Sequence, residues 1–161
     1  MLKLTKKSDY GMIALLHLCG EDDQQTATAK EIAETYRIPL PLLSKVLQSL
    51  TRNGFLISEQ GTKGGYRLAR DPHTISALEV IRSIDGPVIL TDCFHQNGQC
   101  DQMETCTVKT PLRHVHDGIL KLLESITISD MQHGCRDVVK EQMMWLVPGP
   151  KPAGTQHGES S

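Results

Sequence analysis

The sequence predicts a mainly α protein with a small β wing: a winged helix-turn-helix domain followed by a long C-terminal dimerisation helix. Three observations carry that expectation. Two short amphipathic stretches, TAKEIAETYR and PLLSKVLQSLTRNG, are separated only by a proline-broken IPLP. The hydrophobic period then changes from helical to strand-like in FLIS and YRLAR, which flank the glycine-rich EQGTKGG. Further on, Leu112, Val115, Ile119, Leu122 and Ile126 recur at spacings of 3, 4, 3 and 4 residues, the pattern of a coiled-coil seam.

The first helix is expected from Ser8 to about Leu18. Tyr10, Ile13, Ala14, Leu15, Leu16 and Leu18 cover most of its circumference, which implies burial on several sides. Ser8 is the expected cap, and Asp9 falls in the first turn, where a negative charge suits the helix dipole. Read this way, the basic and apolar start MLKLTKKSDYGMIALLHLCG is a core helix rather than a secretory signal, since it lacks a small-residue cleavage site.

Thr28 and Glu31 have capping-box spacing and mark the start of the second helix, whose apolar face holds Ile32, Ala33 and Tyr36. Pro39 and Pro41 disfavour helical geometry at the residues before them, and Pro41 fits the first turn of the helix that follows. That third helix places Leu42, Leu43, Val46, Leu47 and Leu50 on one stripe and ends at Asn53-Gly54. A hairpin directly after such a pair is a wing, and Lys63, Arg67 and Arg70 give it a positive charge suited to double-stranded DNA. Ser44, Lys45 and Gln48 point away from the leucine stripe and are the expected base-reading side chains. Lys63 and Arg67 are expected on phosphate or in the minor groove, with Gly64 and Gly65 letting the backbone come close.

Ser76 and Glu79 form a second capping box, Ile75 and Val80 a hydrophobic staple, and Gly86-Pro87 a stop. The organisation expected is a DNA-binding domain over 1–90, a cysteine-rich loop over 91–106, a dimerisation helix over 107–131 and an extension over 132–161. Proline, glycine and serine in LVPGPKPAGTQHGESS mark the extension as disordered after 146.

The net charge of −2 divides unevenly. Residues 1–70 hold ten Lys/Arg against seven Asp/Glu, and residues 71–161 hold seven against twelve. A mildly basic first half suits a nucleic-acid partner. No run of eighteen apolar residues occurs, so no membrane partner is expected and the chain is read as cytoplasmic. No nucleophile–base pattern or phosphate loop appears, so no enzyme activity is expected.

Three of the five cysteines, Cys93, Cys100 and Cys106, fall in the stretch TDCFHQNGQCDQMETC with spacing C-x6-C-x5-C. In a reducing compartment such a cluster points to metal or redox chemistry rather than a disulfide framework. Three thiolates suit an iron–sulfur cluster, which ordinarily takes four protein ligands. Zinc held by three cysteines and a fourth ligand is an alternative, although structural zinc sites show tighter cysteine pairs. A thiol switch without any cluster is another. Cys19 lies on an apolar helix and is read as a core thiol; Cys135 is expected to be exposed and unpaired.

LTKKSDYG, IPLPLLSKVLQSLTRNGF, GTKGGYRLAR and LEVIRSIDGPVILTDC together resemble the IscR/NsrR-type (Rrf family) winged-helix transcriptional regulators of bacteria. The likeness is strongest to the branch associated with the SUF iron–sulfur assembly system, and it runs over about residues 1–131. It implies a homodimer that uses an iron–sulfur cluster to control its affinity for promoter DNA, with Cys93, Cys100 and Cys106 as ligands. In one branch a histidine three residues after the last cysteine completes the set, but Lys109 stands there. In the nitric-oxide-sensing branch an aspartate early in the first helix of the other subunit does so, and Asp9 stands at that position. His95, Glu104, His114 and His116 are the other candidates for the fourth ligand. These departures lean toward [4Fe–4S] over [2Fe–2S] and leave both open. Gln60 stands where the IscR wing has an arginine, so the resemblance does not carry over an identical operator preference. The alternatives are a regulator of the same fold that answers a protein partner or small ligand without any cluster, and, from another class, a cluster scaffold or electron carrier, which needs the thiols but not the basic wing.

Overall fold

The computed structural model describes residues 4–20, 26–61, 64–90 and 106–134. Helix α1 spans Lys6–Leu18, α2 Ala29–Tyr36 and α3 Leu40–Arg52; the strands are β1, Leu56–Glu59, and β2, Gly65–Leu68. A 3-10 turn at Pro72–Thr74 leads to α4, Ala77–Asp85, and then come α5, Lys109–Ser125, and the short α6, Ile128–Gln132. The two strands form one antiparallel ladder that pairs Leu56 with Leu68 and Glu59 with Gly65.

Helix α1 is central. Ala14 and Leu15 are fully buried, and Met12 and Leu18 nearly so. Its start differs from the sequence expectation. Thr5, not Ser8, is the cap, accepting from the Lys7 and Ser8 amides. Ser8 is instead fully buried inside the helix, and its hydroxyl is bonded to Asp85 of α4.

Both expected capping boxes are present, Thr28 with Glu31 and Ser76 with Glu79. Arg37 closes α2 in a left-handed conformation (φ 54°), Pro39 stands at the N-cap position of α3 with no side-chain hydrogen bond, and Pro41 lies in the first turn of α3. Leu43, Leu47 and Leu50 of α3 are fully buried, as are the staple residues Ile75 and Val80. Leu42, placed on the same stripe from its spacing, stays only half-buried.

The expected helix over 107–131 is two helices. The chain leaves α5 at Ser125, and Ile126 is extended. Its carbonyl accepts from the Ala77 amide at 2.8 Å, and the Ile128 amide donates to the Ile75 carbonyl at 2.9 Å. Thr127 then opens α6 with its own capping box to Asp130, and Ile128 is fully buried. The Thr127-x-x-Asp130 signal opens a new helix where the heptad pattern would continue the old one. The Thr127 hydroxyl accepts from the Asp130 amide and the Asp130 carboxylate accepts from the Thr127 amide, so donors at the new helix start are satisfied.

Hydrogen bonds from the Thr127 hydroxyl and amide hold the Asp130 carboxyl below its ordinary value of 3.8 against the opposing effect of burial. Its contribution to stability is therefore present above that ordinary value and lost as pH falls through the lower folded one. Thr127→Ala is expected to cost about 0.5–2 kcal/mol near neutral pH. Urea unfolding of variant and wild type should converge in acid; a gap that persists undiminished there contradicts this account of the cap.

Candidate DNA interface and cysteine site

The expected base readers stand on α3. Lys45 and Gln48 are exposed and Ser44 is half-buried. Residues three and seven apart share a helical face, so Arg52 joins Lys45 and Gln48 on one exposed stripe opposite Leu43, Val46, Leu47 and Leu50. Arg52 was not singled out from the sequence; its spacing of seven from Lys45 was the available signal. Its charge at the end of α3 also suits the helix dipole.

The wing is anchored more tightly than its composition suggests. Tyr66 exchanges two backbone hydrogen bonds with Ala27, at 2.8 and 3.0 Å, so the segment before α2 is joined to the hairpin. A Cβ on Gly65 would lie 2.7 Å from the Ala27 carbonyl oxygen, and one on Gly64 would lie 2.5 Å from the Glu59 carbonyl oxygen. These glycines thus also permit a close approach within the protein's own backbone, at Ala27 and Glu59. Arg67 is ion-paired with Glu59 across the hairpin. Arg70 is engaged as well: it meets Glu79 at 3.2 Å, donates to the Thr74 carbonyl at 2.8 Å and lies over the Phe55 ring. Lys63 lies outside the described residues.

Cys106 is a free, half-exposed thiol three residues before α5 begins. Cys93, Cys100, His95, Glu104 and Cys135 lie outside the described residues, as does most of the loop between α4 and α5. Asp9 is exposed near the start of α1, His114 is exposed and His116 half-buried on α5. No three metal-binding side chains come together among the described residues, of which Cys106 is the only member of the thiol trio. Cys19 is buried, with its Sγ 2.9 Å from the Gln132 side-chain oxygen, in keeping with a core thiol.

On α5 the residues packed against the domain core are Leu120 and Leu123, neither of them in the expected seam, whereas the seam residues Leu112, Ile119 and Leu122 stay half-buried and Val115 is 51% exposed. Ile126 leaves the seam for the clasp between α4 and α6.

A family model described as an iron-dependent transcriptional regulator, Rrf2, matches residues 4–134. The chain belongs to the Rrf2 family. Its members regulate transcription and are not enzymes. The NsrR regulator of Bacillus subtilis is 31% identical over 140 residues, covering 86% of this chain and 96% of its own. Among solved structures, CymR, the global cysteine regulator of B. subtilis, superposes with a TM-score of 0.71 at 26% identity, covering 83% of this chain and 98% of its own. IscR of T. potens gives a TM-score of 0.64 at 27% identity, covering 84% and 90%. The winged-helix architecture expected from the sequence is therefore that of this Rrf2 regulator. Among the described residues, no helix is long and apolar enough to cross a membrane.

Gly65→Ala is expected to cost about 1–3 kcal/mol, because the added methyl meets backbone that cannot rotate aside. Thermal unfolding checks this; an unchanged midpoint contradicts the join between the wing and Ala27.

Proposed function

We propose that this Rrf2 protein is a cytoplasmic homodimer that binds promoter DNA and changes its affinity with the state of an iron–sulfur cluster. We assign the cluster to Cys93, Cys100 and Cys106, with Asp9 of the partner subunit as fourth ligand. The targets are iron–sulfur assembly genes of the SUF kind. The single observation that carries the reading is the placement of Cys106. It is a free thiol at the foot of a helix whose apolar seam is left half-covered. Helix α4 ends at Asp85 and α5 begins at Lys109, so the cysteine-rich stretch connects the last helix of the DNA-reading domain to the helix that carries this seam.

The donor set fits such a group. Three thiolates and a carboxylate supply four anionic ligands, and Asp9 is exposed and thus available to a neighbouring subunit. A bound cluster supplies a redox- and nitric-oxide-reactive centre. The residues of the chain do the rest. Leu112, Val115, Ile119 and Leu122 bury their exposed halves against the same helix of the partner. Ser44, Lys45 and Gln48, joined by Arg52, face base edges in the major groove. Lys63, Gly64, Gly65 and Arg67 bring the wing to the backbone or minor groove, Arg67 with its charge partly offset by Glu59.

Protein purified without air is expected to be coloured and to hold iron and sulfide, and to lose both when the three cysteines are replaced by serine. Lys63→Ala should weaken all DNA sequences about equally and reduce the salt slope by roughly one, whereas Gln48→Ala should cost about 1–3 kcal/mol on the operator alone. Colourless protein, free of iron after reconstitution, contradicts the cluster assignment. An unchanged salt slope contradicts the wing assignment.

A further inference from the structure

The start of α1 and the end of α4 are joined by contacts that neither DNA reading nor cluster holding requires. The Thr5 hydroxyl donates to one Asp85 oxygen at 2.6 Å. The Ser8 hydroxyl and the Thr5 amide donate to the other, at 2.7 and 3.2 Å. Ser8 is fully buried, 77 residues away in sequence from its partner. Burial raises the Asp85 pKa, but the bonds from Ser8 and Thr5, with the charge of Lys7, outweigh it and hold the carboxyl below its ordinary value. At neutral pH the group is an anion at the positive end of a helix, where its charge is favoured.

A second contact lies one turn further along α1. The Ile84 side chain occupies the space that a Cβ on Gly11 would need. The same point is 3.5 Å from Val46 Cγ1 and 3.8 Å from Leu50 Cδ1, both on α3. One turn of α1 therefore rests on the end of α4 and on the buried side of the candidate recognition helix. Asp9 follows Ser8 on the exposed side. Gly86-Pro87 follows Asp85 and leads the chain toward the cysteine loop.

We propose that Asp85 is a positioning residue that fixes the start of α1 to the stem of the cysteine loop, so that the state of the loop reaches α3 through α1. This rests on the cluster reading above. A shift of the stem moves the acceptor of Thr5 and Ser8, α1 follows because three donors on those two residues are bound to it, and α3 follows because it is packed on Gly11. The carboxylate accepts on both oxygens at once. An amide of the same shape accepts on one only and turns two donors toward Thr5 or Ser8.

Asp85→Asn and the pair Thr5→Val/Ser8→Ala disrupt the two hydroxyl–carboxylate bonds from opposite sides, the pair leaving the Thr5 amide bond in place, and both are tested in the full-length chain. Iron and sulfide content, the visible spectrum, thermal unfolding and promoter affinity with and without the cluster are measured on each. Wild type is expected to show an affinity ratio between cluster-loaded and iron-free protein of about 5–150-fold. Each variant is expected to keep its iron and its iron-free affinity while that ratio falls to within about twofold of one. Combining them should lower it no further, since they break one link. A purely structural role would lower the unfolding midpoint and leave the ratio intact, which overturns the proposal. Should Asp85→Asn fail to fold, the Thr5/Ser8 pair decides by the same ratio.

Amide exchange of residues 6–12 in the iron-free protein gives a readout independent of any cofactor. It is expected to quicken at least about tenfold in Asp85→Asn, as when a helix terminus loses an anchoring contact. Unchanged exchange overturns the clamp. A wild-type ratio of one with the clamp intact by exchange overturns the cluster reading instead.

Discussion

Gly11 is the point on which the domain closes. Helix α1 passes there against α3 and α4 so closely that the Ile84 side chain reaches into the space a Cβ would take, with Val46 and Leu50 at van der Waals distance from the same point. Close-packed interiors do not deform continuously, so a shift of any one helix at such a crossing is felt by the other two. The rest of the architecture follows from this. The leucine stripe of α3 faces inward onto α1, which leaves Lys45, Gln48 and Arg52 outward. The far end of α4 is held close to the first turn of α1, and it is from there that the chain departs into the cysteine loop.

Much of this was legible in the sequence where the determinants are local. The capping boxes of Thr28 and Ser76, the Asn53-Gly54 stop, the IPLP break and the switch to strand period each act within a few residues, and each appears at its place. The Ser8 reading failed for an instructive reason. A serine early in a helix resembles a cap, but its hydroxyl is satisfied by a carboxylate 77 residues away, and pairings at that separation leave no periodic trace. Arg67 and Arg70 show the same limit: their charge was evident, their carboxylate partners Glu59 and Glu79 were not.

The C-terminal helix shows two local signals in competition. The heptad spacing continues through Ile126, while Thr127 and Asp130 open a new helix one residue later. The capping box prevails together with backbone hydrogen bonds that Ile126 and Ile128 make to Ala77 and Ile75 at the start of α4, binding this turn to the DNA-reading domain. The seam is thereby shortened to Leu112, Val115, Ile119 and Leu122. Cys106 lies three residues before the helix that carries it. Of the candidate site, the α3 face was readable from the leucine period, but the use of Gly64 and Gly65 against the protein's own backbone was not, because the approach of Ala27 is a tertiary event.

The central claim is that the cysteine loop governs how the two DNA-reading helices of a dimer are spaced. Its most direct test is the distance between spin labels carried by a non-canonical amino acid at position 48 of both protomers, read by pulsed electron resonance before and after iron removal. With the cluster present, a single narrow distribution near one turn of DNA, about 34–36 Å, is expected. After removal it should broaden or move by several ångströms. Identical distributions in the two states would contradict the account.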